Sequence, residues 1–387
     1  MQNFPQQLSQ SFQQFFDSEK AGGILLILCT AISLLITNSV FGPHYLQFWQ
    51  ISFAGLSLEL WINDALMAIF FLLIGLELER ELYSGELSDF RNALLPLIAA
   101  LGGTVAPALL HFAFNAGSPT QAGIGIPMAT DIAFALGVLA LLGKRIPSAL
   151  KVFVVAFAVI DDLCAIIVIA LFYTAKVNLL FLALAIAIWL GLLVLNRKMR
   201  CMALWPYLIG GIGMWICMLL SGVHATIAGV MLAFAIPYSA KSEDVASPSH
   251  QLEHLLHKPV AFLILPIFAL ANTAIIIGAD WATSLSSANS LGIMVGLGLG
   301  KPLGVSLCCV LAVVTGLCQL PTGMQWRHVI GAGILGGIGF TMSIFITNLA
   351  FASQDALINA SKMAILVASL CAGVIGFVWL RFTSRQN

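Results

Sequence analysis

Long apolar runs recur along the chain from about residue 21 to residue 380, and short polar or charged segments separate them. Most of these runs approach the roughly 20 residues that a helix needs to cross a bilayer. We therefore expect membrane-spanning helices rather than strands, whose alternating pattern is much weaker. The pattern predicts twelve spans, at about residues 21–38, 59–82, 94–114, 122–143, 150–173, 179–196, 204–219, 223–237, 254–277, 290–313, 328–350 and 357–380.

Two of the predicted spans are interrupted by small or helix-breaking residues. The fourth reads GIPMATDIAFALG from Gly125, and the eleventh reads GILGGIGFTMSIFITN from Gly333. Each follows a Gly-rich span that contains a Pro, and each precedes one long span. Spans 3–5 and 10–12 thus resemble two copies of one unit, and the odd number of spans predicts opposite orientations. Alternatively, the Gly and Pro residues reflect only their frequency in membrane helices.

The composition places the chain in one class. It is 60% hydrophobic and 9% charged, with a mean hydropathy of +1.00, whereas a soluble domain is about 25% charged. These values predict an all-α polytopic membrane protein with a single domain over residues 1–387. The net charge of zero argues against a nucleic-acid partner. The eight cysteines show no CxxC spacing, which argues against a zinc site.

The distribution of Lys and Arg predicts the orientation. With the N-terminus inside, fourteen of these residues fall on the inner side, and Lys176 and Lys362 fall on the outer side. The remaining cation, Lys301, lies within a span. Because cytoplasmic segments carry the excess of positive charge, both termini are expected to be cytoplasmic. The predicted cytoplasmic segments are residues 1–20, 238–253 and 381–387.

Ionisable residues within the spans are the candidates for function, because each costs at least about 2.5–3.5 kcal/mol to insert. Asp161 and Asp162 stand together in the apolar run 151–174. Neighbours on a helix point about 100° apart, so one carboxylate can face an ion path and the other a countercharge. Lys301 is the natural partner for one of them. The ionisable residues within the predicted spans are Asp64, Asp131, Asp161, Asp162 and Lys301.

The interruption in the fourth span suggests a cation site. Asp131 follows Thr130 there, and an unwound helix exposes amides and carbonyls. Asp131 would neutralise facing helix N-termini, and Lys301 facing C-termini. Carboxylates, a hydroxyl and carbonyls form an oxygen cage that suits a hard cation. If the carboxylates hold either a cation or protons, alternating access gives cation–proton exchange. GLGLGKP, which ends at Pro302, lacks the phosphate-loop pattern, so no nucleotide is implied.

A second group of charges is predicted at the cytoplasmic ends of spans 2 and 9. It is either a pH sensor, since His titrates near physiological pH, or an ordinary solvated helix end. His224 and Asp64 are interpreted as packing or structural residues rather than proton carriers. The members of this group are Glu77, Glu79, Arg80, Glu81, Glu253, His254 and His257.

Several segments together resemble the NhaA-type sodium/proton antiporter family. They include WINDALMAIFFLLIGLELEREL, ATDIAFALGVLALLG, VIDDLCAIIVIALFYT, SGVHATIAGV, LEHLLH, GKPLG and GIGFTMSIFI, between about residues 20 and 381. The resemblance implies twelve helices with inverted repeats (3–5 and 10–12), in which the broken helices 4 and 11 cross. It implies an electrogenic, pH-activated transporter, not an enzyme, that needs no cofactor. This transporter would export Na⁺ or Li⁺ for H⁺ across the bacterial inner membrane, for sodium and pH homeostasis.

The resemblance also implies roles for individual residues. Asp162 would be the principal ligand of Na⁺ or Li⁺, assisted by Asp131 and Thr130. Asp161 and Lys301 would form a pair that breaks and re-forms as cations and protons exchange. Members of the family form homodimers, partly through an outer β-hairpin, which residues 39–58 would supply here. The pH-sensing cluster would comprise Glu77, Arg80, Glu81, Glu253, His254 and His257.

The chain departs from the family pattern at Glu79 and His250, where the family has Lys. Two cations are therefore replaced by an acid and a titratable group, which should alter the field at the cluster but not at the ion site. Two other functions fit the same residues. A cation–proton symporter would use the same site with different coupling, and a sensor of pH or salt would show no flux.

Overall fold

The computed structural model describes residues 4–173, 177–239, 247–352 and 354–383. Parts of the predicted cytoplasmic segments lie outside the described residues, namely residues 1–3, 240–246 and 384–387. The same is true of Lys176, Lys241 and Arg385. In chain order the helices are α1 Phe4–Thr37, α2 Gly42–Trp49, α3 Leu58–Trp61, α4 Met67–Tyr83, α5 Phe90–Asn115, α6 Ile132–Leu142, α7 Ser148–Phe172, α8 Leu179–Arg197, α9 Trp205–Ser221, α10 Ile227–Ala233, α11 Pro248–Pro259, α12 Leu265–Asn272, α13 Trp281–Leu285, α14 Ala288–Val295, α15 Lys301–Val314, α16 Trp326–Gly336, α17 Phe340–Ala350 and α18 Asp355–Thr383.

The described residues contain eight helices long and apolar enough to cross a membrane, or up to ten if each bent helix pair counts as one span. The chain is therefore an all-helical polytopic membrane protein. Twelve spans remain a prediction, chiefly because of spans 7 and 8. α9 has only 17 residues and ends before Gly222, whose φ of 81° is left-handed, and α10 has only seven.

One compact unit comprises residues 1–42, 91–165 and 272–387. In it, α5 and α15 meet at two glycines, since a Cβ added to Gly304 would lie 2.1 Å from the carbonyl oxygen of Gly102. No larger residue fits at that separation. Thr104 and Lys301, which flank this contact on the two helices, both reach the carboxylate of Asp161.

Both predicted interruptions are present in this unit. Residues 129–131 are not helical and separate the 3-10 helix Pro119–Met128 from α6. Residues 337–339 separate α16 from α17, and the two helix axes differ by 43°. The backbone N–H of Asp131 donates to the carbonyl oxygen of Ile338 at 2.6 Å. The two interruptions therefore lie against each other.

The second compact unit comprises residues 43–90 and 166–271. Its α4 packs against α10, and its α8 packs against α9. The interior of the unit is apolar and contains Leu76, Tyr207, Met214 and Ala233, each with no exposed surface. The Tyr207 hydroxyl donates to the carbonyl oxygen of Cys201 at 3.0 Å, which satisfies its polar end.

Residues 39–58, predicted as an outer loop with a β-hairpin, contain α2 and two short antiparallel strands. Strand β1 is Ser52–Phe53 and strand β2 is Leu56–Ser57, with Ser52 opposite Ser57. The turn residues Ala54 and Gly55 both have positive φ, 50° and 86°. This is the turn geometry that matches the twist of a two-residue hairpin.

Candidate functional site

Asp161 and Asp162 lie near the middle of α7, and each is only 1% exposed. The helix forms because an unbroken apolar sequence surrounds the pair on both sides. A buried carboxylate is costly unless it is paired or hydrogen-bonded. The partners of the two carboxylates therefore define what the site can do.

Lys301 supplies the countercharge of Asp161. It begins α15 directly after the π-helical turn Gly296–Gly300, and its side chain has no exposed surface. Its Nζ donates to Oδ2 of Asp161 at 2.6 Å. The other carboxylate oxygen, Oδ1, lies 3.2 Å from the Thr104 hydroxyl. The residues alone left open which aspartate faces Lys301, and the structure places Asp161 there.

Lys301 makes two further contacts, which complete its surroundings. Its Nζ donates to Oγ1 of Thr130 at 2.9 Å and lies 5.6 Å from the centre of the Phe157 ring. The ring face carries partial negative charge and attracts the ammonium. One cation is thus shared by a carboxylate, a hydroxyl and an aromatic ring. All of these groups belong to the first compact unit.

Thr130 connects Lys301 to the end of a helix. Its hydroxyl donates to the carbonyl oxygen of Gly336 at 2.9 Å, and Gly336 is the last residue of α16. Helix C-termini carry partial negative charge on their unsatisfied carbonyls. The amine of Lys301 therefore faces this C-terminus through a single hydroxyl.

Asp131 has the complementary position at the helix N-termini. Its Oδ1 accepts from the backbone N–H of Phe134 in the first turn of α6, at 3.1 Å. Its Oδ2 accepts from the backbone N–H of Thr341 at 3.0 Å and from the Thr341 hydroxyl. One carboxylate therefore caps two helices, α6 and α17. A negative charge at two N-termini is the favourable arrangement for the helix dipoles.

The chemistry available for a cation follows from these contacts. Asp162 is adjacent to the ion pair, and Asp131 is adjacent to Thr130, which contacts it. Across the described part of the chain, no group of three or more His, Cys, Asp and Glu side chains is arranged to hold a metal ion. The oxygen ligands that these residues offer are therefore hydroxyl and carbonyl groups as well as carboxylates. Such hard oxygen ligands suit Na⁺ and Li⁺.

Two members of the site were not singled out as functional by the sequence. Thr104 lies in the third predicted span and Thr341 in the eleventh, and neither was among the predicted site residues. Both side chains are buried, with 6% and 2% of their surface exposed, and both reach a site carboxylate. The available signal was a hydroxyl within an apolar span, close to a Gly pair or a helix break.

The second predicted cluster lies in the other unit. Arg80 on α4 forms ion pairs with Glu253 on α11 and with Glu81, the latter at 3.1 Å. Glu79 accepts from the Ser249 hydroxyl at 3.1 Å. Glu77 is also buried there. The structure thus brings Arg80, Glu81 and Glu253 together, whereas the side chain of His254 is exposed and that of His257 is half-buried.

Asp64 and His224 lie in this second unit as well. Asp64 belongs to the π-helical turn Ile62–Leu66, and its backbone carbonyl accepts from Trp215 Nε1 at 3.2 Å. Nε2 of His224 lies 2.8 Å from the carbonyl oxygen of Tyr173, so that nitrogen carries the proton and donates it. The imidazole therefore ties the turn before α10 to the end of α7.

Comparison with known proteins gives a consistent result. A family model described as Na⁺/H⁺ antiporter 1 matches residues 13–380. The Na⁺/H⁺ antiporter NhaA of Dechloromonas aromatica is 65% identical over 380 residues, which cover 98% of each chain. That of Cytophaga hutchinsonii is 56% identical over 379 residues, 98% of this chain and 97% of the relative. The Na⁺/H⁺ antiporter NhaA 1 of Flavobacterium johnsoniae is 55% identical over 380 residues, 98% of this chain and 99% of the relative.

Proposed function

Since the chain belongs to the Na⁺/H⁺ antiporter 1 family, we propose that it exchanges Na⁺ for H⁺ across the membrane as a secondary transporter. The observation that carries this proposal is the buried ion pair between Lys301 and Asp161, next to Asp162. Buried charges in a membrane span mark ion pathways and proton relays. Nothing in such a site requires a cofactor or a chemical reaction.

We infer that the cation, Na⁺ or Li⁺, binds at Asp162 with Asp131 and Thr130 as further oxygen ligands. In the arrangement described above, the Thr130 hydroxyl accepts from Lys301 and donates to Gly336. The positive charge of Lys301, 2.9 Å from that oxygen, repels a cation there until Lys301 withdraws or loses its proton. The ion pair and the bound cation thereby exclude each other, and this exclusion couples cation binding to proton binding.

Protons enter through the same pair. Asp161 and Lys301 attract one another when charged, and deprotonation of Lys301 ends that attraction, so that loss of a proton accompanies cation binding and return of the proton restores the pair. The pair would therefore break and re-form as protons and cations exchange. Alternating exposure of the site to the two sides then exports one Na⁺ or Li⁺ only when protons return. A net charge moves if more than one proton enters for each cation, which makes the exchange electrogenic.

The opposite dipole ends at the two breaks support the wider architecture that we propose. Asp131 lies at two N-termini and Lys301 faces a C-terminus. This is expected if the broken fourth and eleventh spans cross, in a fold of twelve spans with inverted repeats (spans 3–5 and 10–12). The protein would lie in a bacterial inner membrane, with both termini on the cytoplasmic side. Residues 39–58, which include the small hairpin, would contribute to a homodimer contact.

We also propose that exchange is activated as pH rises, through the charged cluster of the second unit. The support is burial: Glu77, Glu79 and Glu253 are at most 7% exposed, and Arg80 is paired with Glu253. Buried, coupled carboxylates respond to pH more strongly than solvated ones. Activation would serve sodium and pH homeostasis. The cluster would comprise Glu77, Arg80, Glu81, Glu253, His254 and His257.

Everted membrane vesicles test the exchange directly. A respiratory substrate first makes the vesicle interior acidic, and a pH-sensitive dye reports the gradient. Added Na⁺ or Li⁺ should discharge the gradient, and K⁺ should not, with a larger response at alkaline pH. The control is vesicles from the same host without the gene. A symporter would not discharge the acid-inside gradient, and a sensor would give no response to any cation.

A further inference from the structure

An apolar groove runs along the first compact unit between α1, α6 and α18. Its volume is about 470 Å³, and none of the charged residues of the ion site lines it. Ile27 of α1, Leu141 of α6 and Leu370 of α18 line it and are 54%, 56% and 70% exposed. The groove therefore opens outward, along faces of helices that cross the membrane.

The lining offers almost nothing to a polar ligand. Thr30 and Ser369 carry the only polar side chains among its fifteen lining residues. The Thr30 hydroxyl donates to the carbonyl oxygen of Leu26 at 2.8 Å, and the Ser369 hydroxyl accepts from the backbone N–H of Phe340 at 3.2 Å. Water needs two to four polar partners, so the groove does not hold ordered water.

The surroundings determine the occupant. The groove lies on segments that are long and apolar enough to cross a membrane, and phospholipid acyl chains fill the space beside such segments. If the groove were empty, the side chains that line it would lose favourable dispersion contacts, because each neighbouring atom adds to the dispersion energy. We propose that one acyl chain of a membrane phospholipid occupies the groove between α1, α6 and α18.

The floor of the groove connects this chain to the helix breaks. Phe134 and Phe340 form the floor, and their rings meet edge to face at 4.8 Å. The backbone N–H of Phe134 donates to Asp131, and Phe340 directly precedes Thr341, which also donates to Asp131. An acyl chain packed on the two rings therefore supports the first turns of α6 and α17, which Asp131 caps. Only this coupling to transport rests on the proposed function.

Two glycines give a matched pair of variants. A Cβ on Gly373, in the groove, would lie 3.7 Å from Cδ1 of Ile338, which is an ordinary contact. A Cβ on Gly213, on α9 of the other unit, would lie 3.7 Å from Cδ1 of Ile188. Gly373→Leu should fill the groove without displacing backbone, and Gly213→Leu is the control for adding the same side chain to a membrane helix.

The test uses the full chain in liposomes whose phospholipid carries a diazirine in the middle of one acyl chain, without free fatty acid. After irradiation and digestion, mass spectrometry compares adducts on α6 and α18 peptides with those on α8 and α9. We expect the groove peptides to dominate in the wild type and in Gly213→Leu, and this excess to be lost in Gly373→Leu. Equal labelling of the groove and of the α8–α9 surface in the wild type overturns the site, whether or not the variant folds.

A transport measurement tests the coupling separately. The Na⁺ concentration for half-maximal exchange is compared in liposomes of straight-chain and of methyl-branched phospholipid, since a branched chain fits the groove poorly. We expect it to differ between the two lipids in the wild type and in Gly213→Leu, and to be the same in Gly373→Leu. An unchanged value in the wild type contradicts the coupling, and absence of any exchange contradicts the proposed function instead.

Discussion

The carboxylate of Asp131 accepts hydrogen bonds from both the backbone N–H and the hydroxyl of Thr341, which lies 210 residues further along the chain. The same carboxylate accepts a hydrogen bond from the backbone N–H of Phe134, only three residues away. Two interrupted helices are therefore held together by one charge. Each side chain at the two helix breaks should therefore contribute to stability or to transport.

Replacement of Asp131 by Asn should destabilise the protein. The amide retains one acceptor oxygen but turns an NH₂ group toward the second backbone N–H, so a buried donor loses its partner. Such a loss costs about 1–3 kcal/mol. The thermal unfolding midpoint in detergent should fall for Asp131→Asn and stay near the wild-type value for Asp280→Asn, because Asp280 is exposed. Equal midpoints for the two variants would show that Asp131 does not hold the helices together.

The ion pair should behave as a unit in a double-mutant cycle. Lys301→Gln leaves a buried carboxylate without its cation, and Asp161→Asn leaves a buried amine without its anion. Breaking a buried pair on one side costs about 3–5 kcal/mol. The double variant should recover most of the loss in thermal stability, because two neutral amides can hydrogen-bond to each other. Additive losses would mean that the two charges are independent.

Thr130 provides a test of the proposed cation ligands. Thr130→Ser keeps the hydroxyl, whereas Thr130→Val keeps the shape and removes it. If the hydroxyl oxygen binds the cation, the Na⁺ concentration for half-maximal exchange should rise about tenfold in Thr130→Val, which corresponds to about 1.4 kcal/mol. Thr130→Ser should stay close to the wild type. The same value for both variants would remove Thr130 from the cation site.

The second cluster allows two neighbouring residues to be compared. Glu253 is buried and paired with Arg80, whereas the side chain of His254 is exposed. Glu253→Gln leaves Arg80 with one carboxylate fewer, so the pH profile of exchange should move. His254→Gln should move it much less, because solvent screens an exposed charge. Measurement of exchange in small pH steps decides, and a profile that is unchanged in Glu253→Gln would separate the cluster from pH activation.

The sequence predicted the class of the fold, and the structure supports it at that level. Apolar runs indicate helices directly, because each span must satisfy its own backbone hydrogen bonds within the bilayer. Span counting was least secure where Gly222 and the short α10 leave little regular helix. Those residues pack within the second unit, and hydropathy does not report that packing.

The site was predictable in its residues more than in its contacts. Charged residues such as Lys301 and Asp161 can be identified in an apolar span from the sequence alone, because their insertion into the membrane costs free energy and therefore indicates a function. Their surroundings are not visible, since Thr104, Thr341 and the Gly336 carbonyl come from distant segments. An uncharged hydroxyl gives little signal, although here the Thr341 hydroxyl joins Asp131 to the start of α17 and the Thr130 hydroxyl joins Lys301 to the end of α16.

The most direct test of the account uses Asp162, to which the cation is assigned. The purified protein is reconstituted in liposomes, a Na⁺ gradient is imposed, and proton movement is followed with a pH-sensitive dye. The wild type and the control Asp64→Asn should both move protons when Na⁺ flows. Asp162→Asn, at equal amounts of folded protein, should show no Na⁺-driven proton movement. Retention of that movement in Asp162→Asn would contradict the assignment of the cation to this carboxylate.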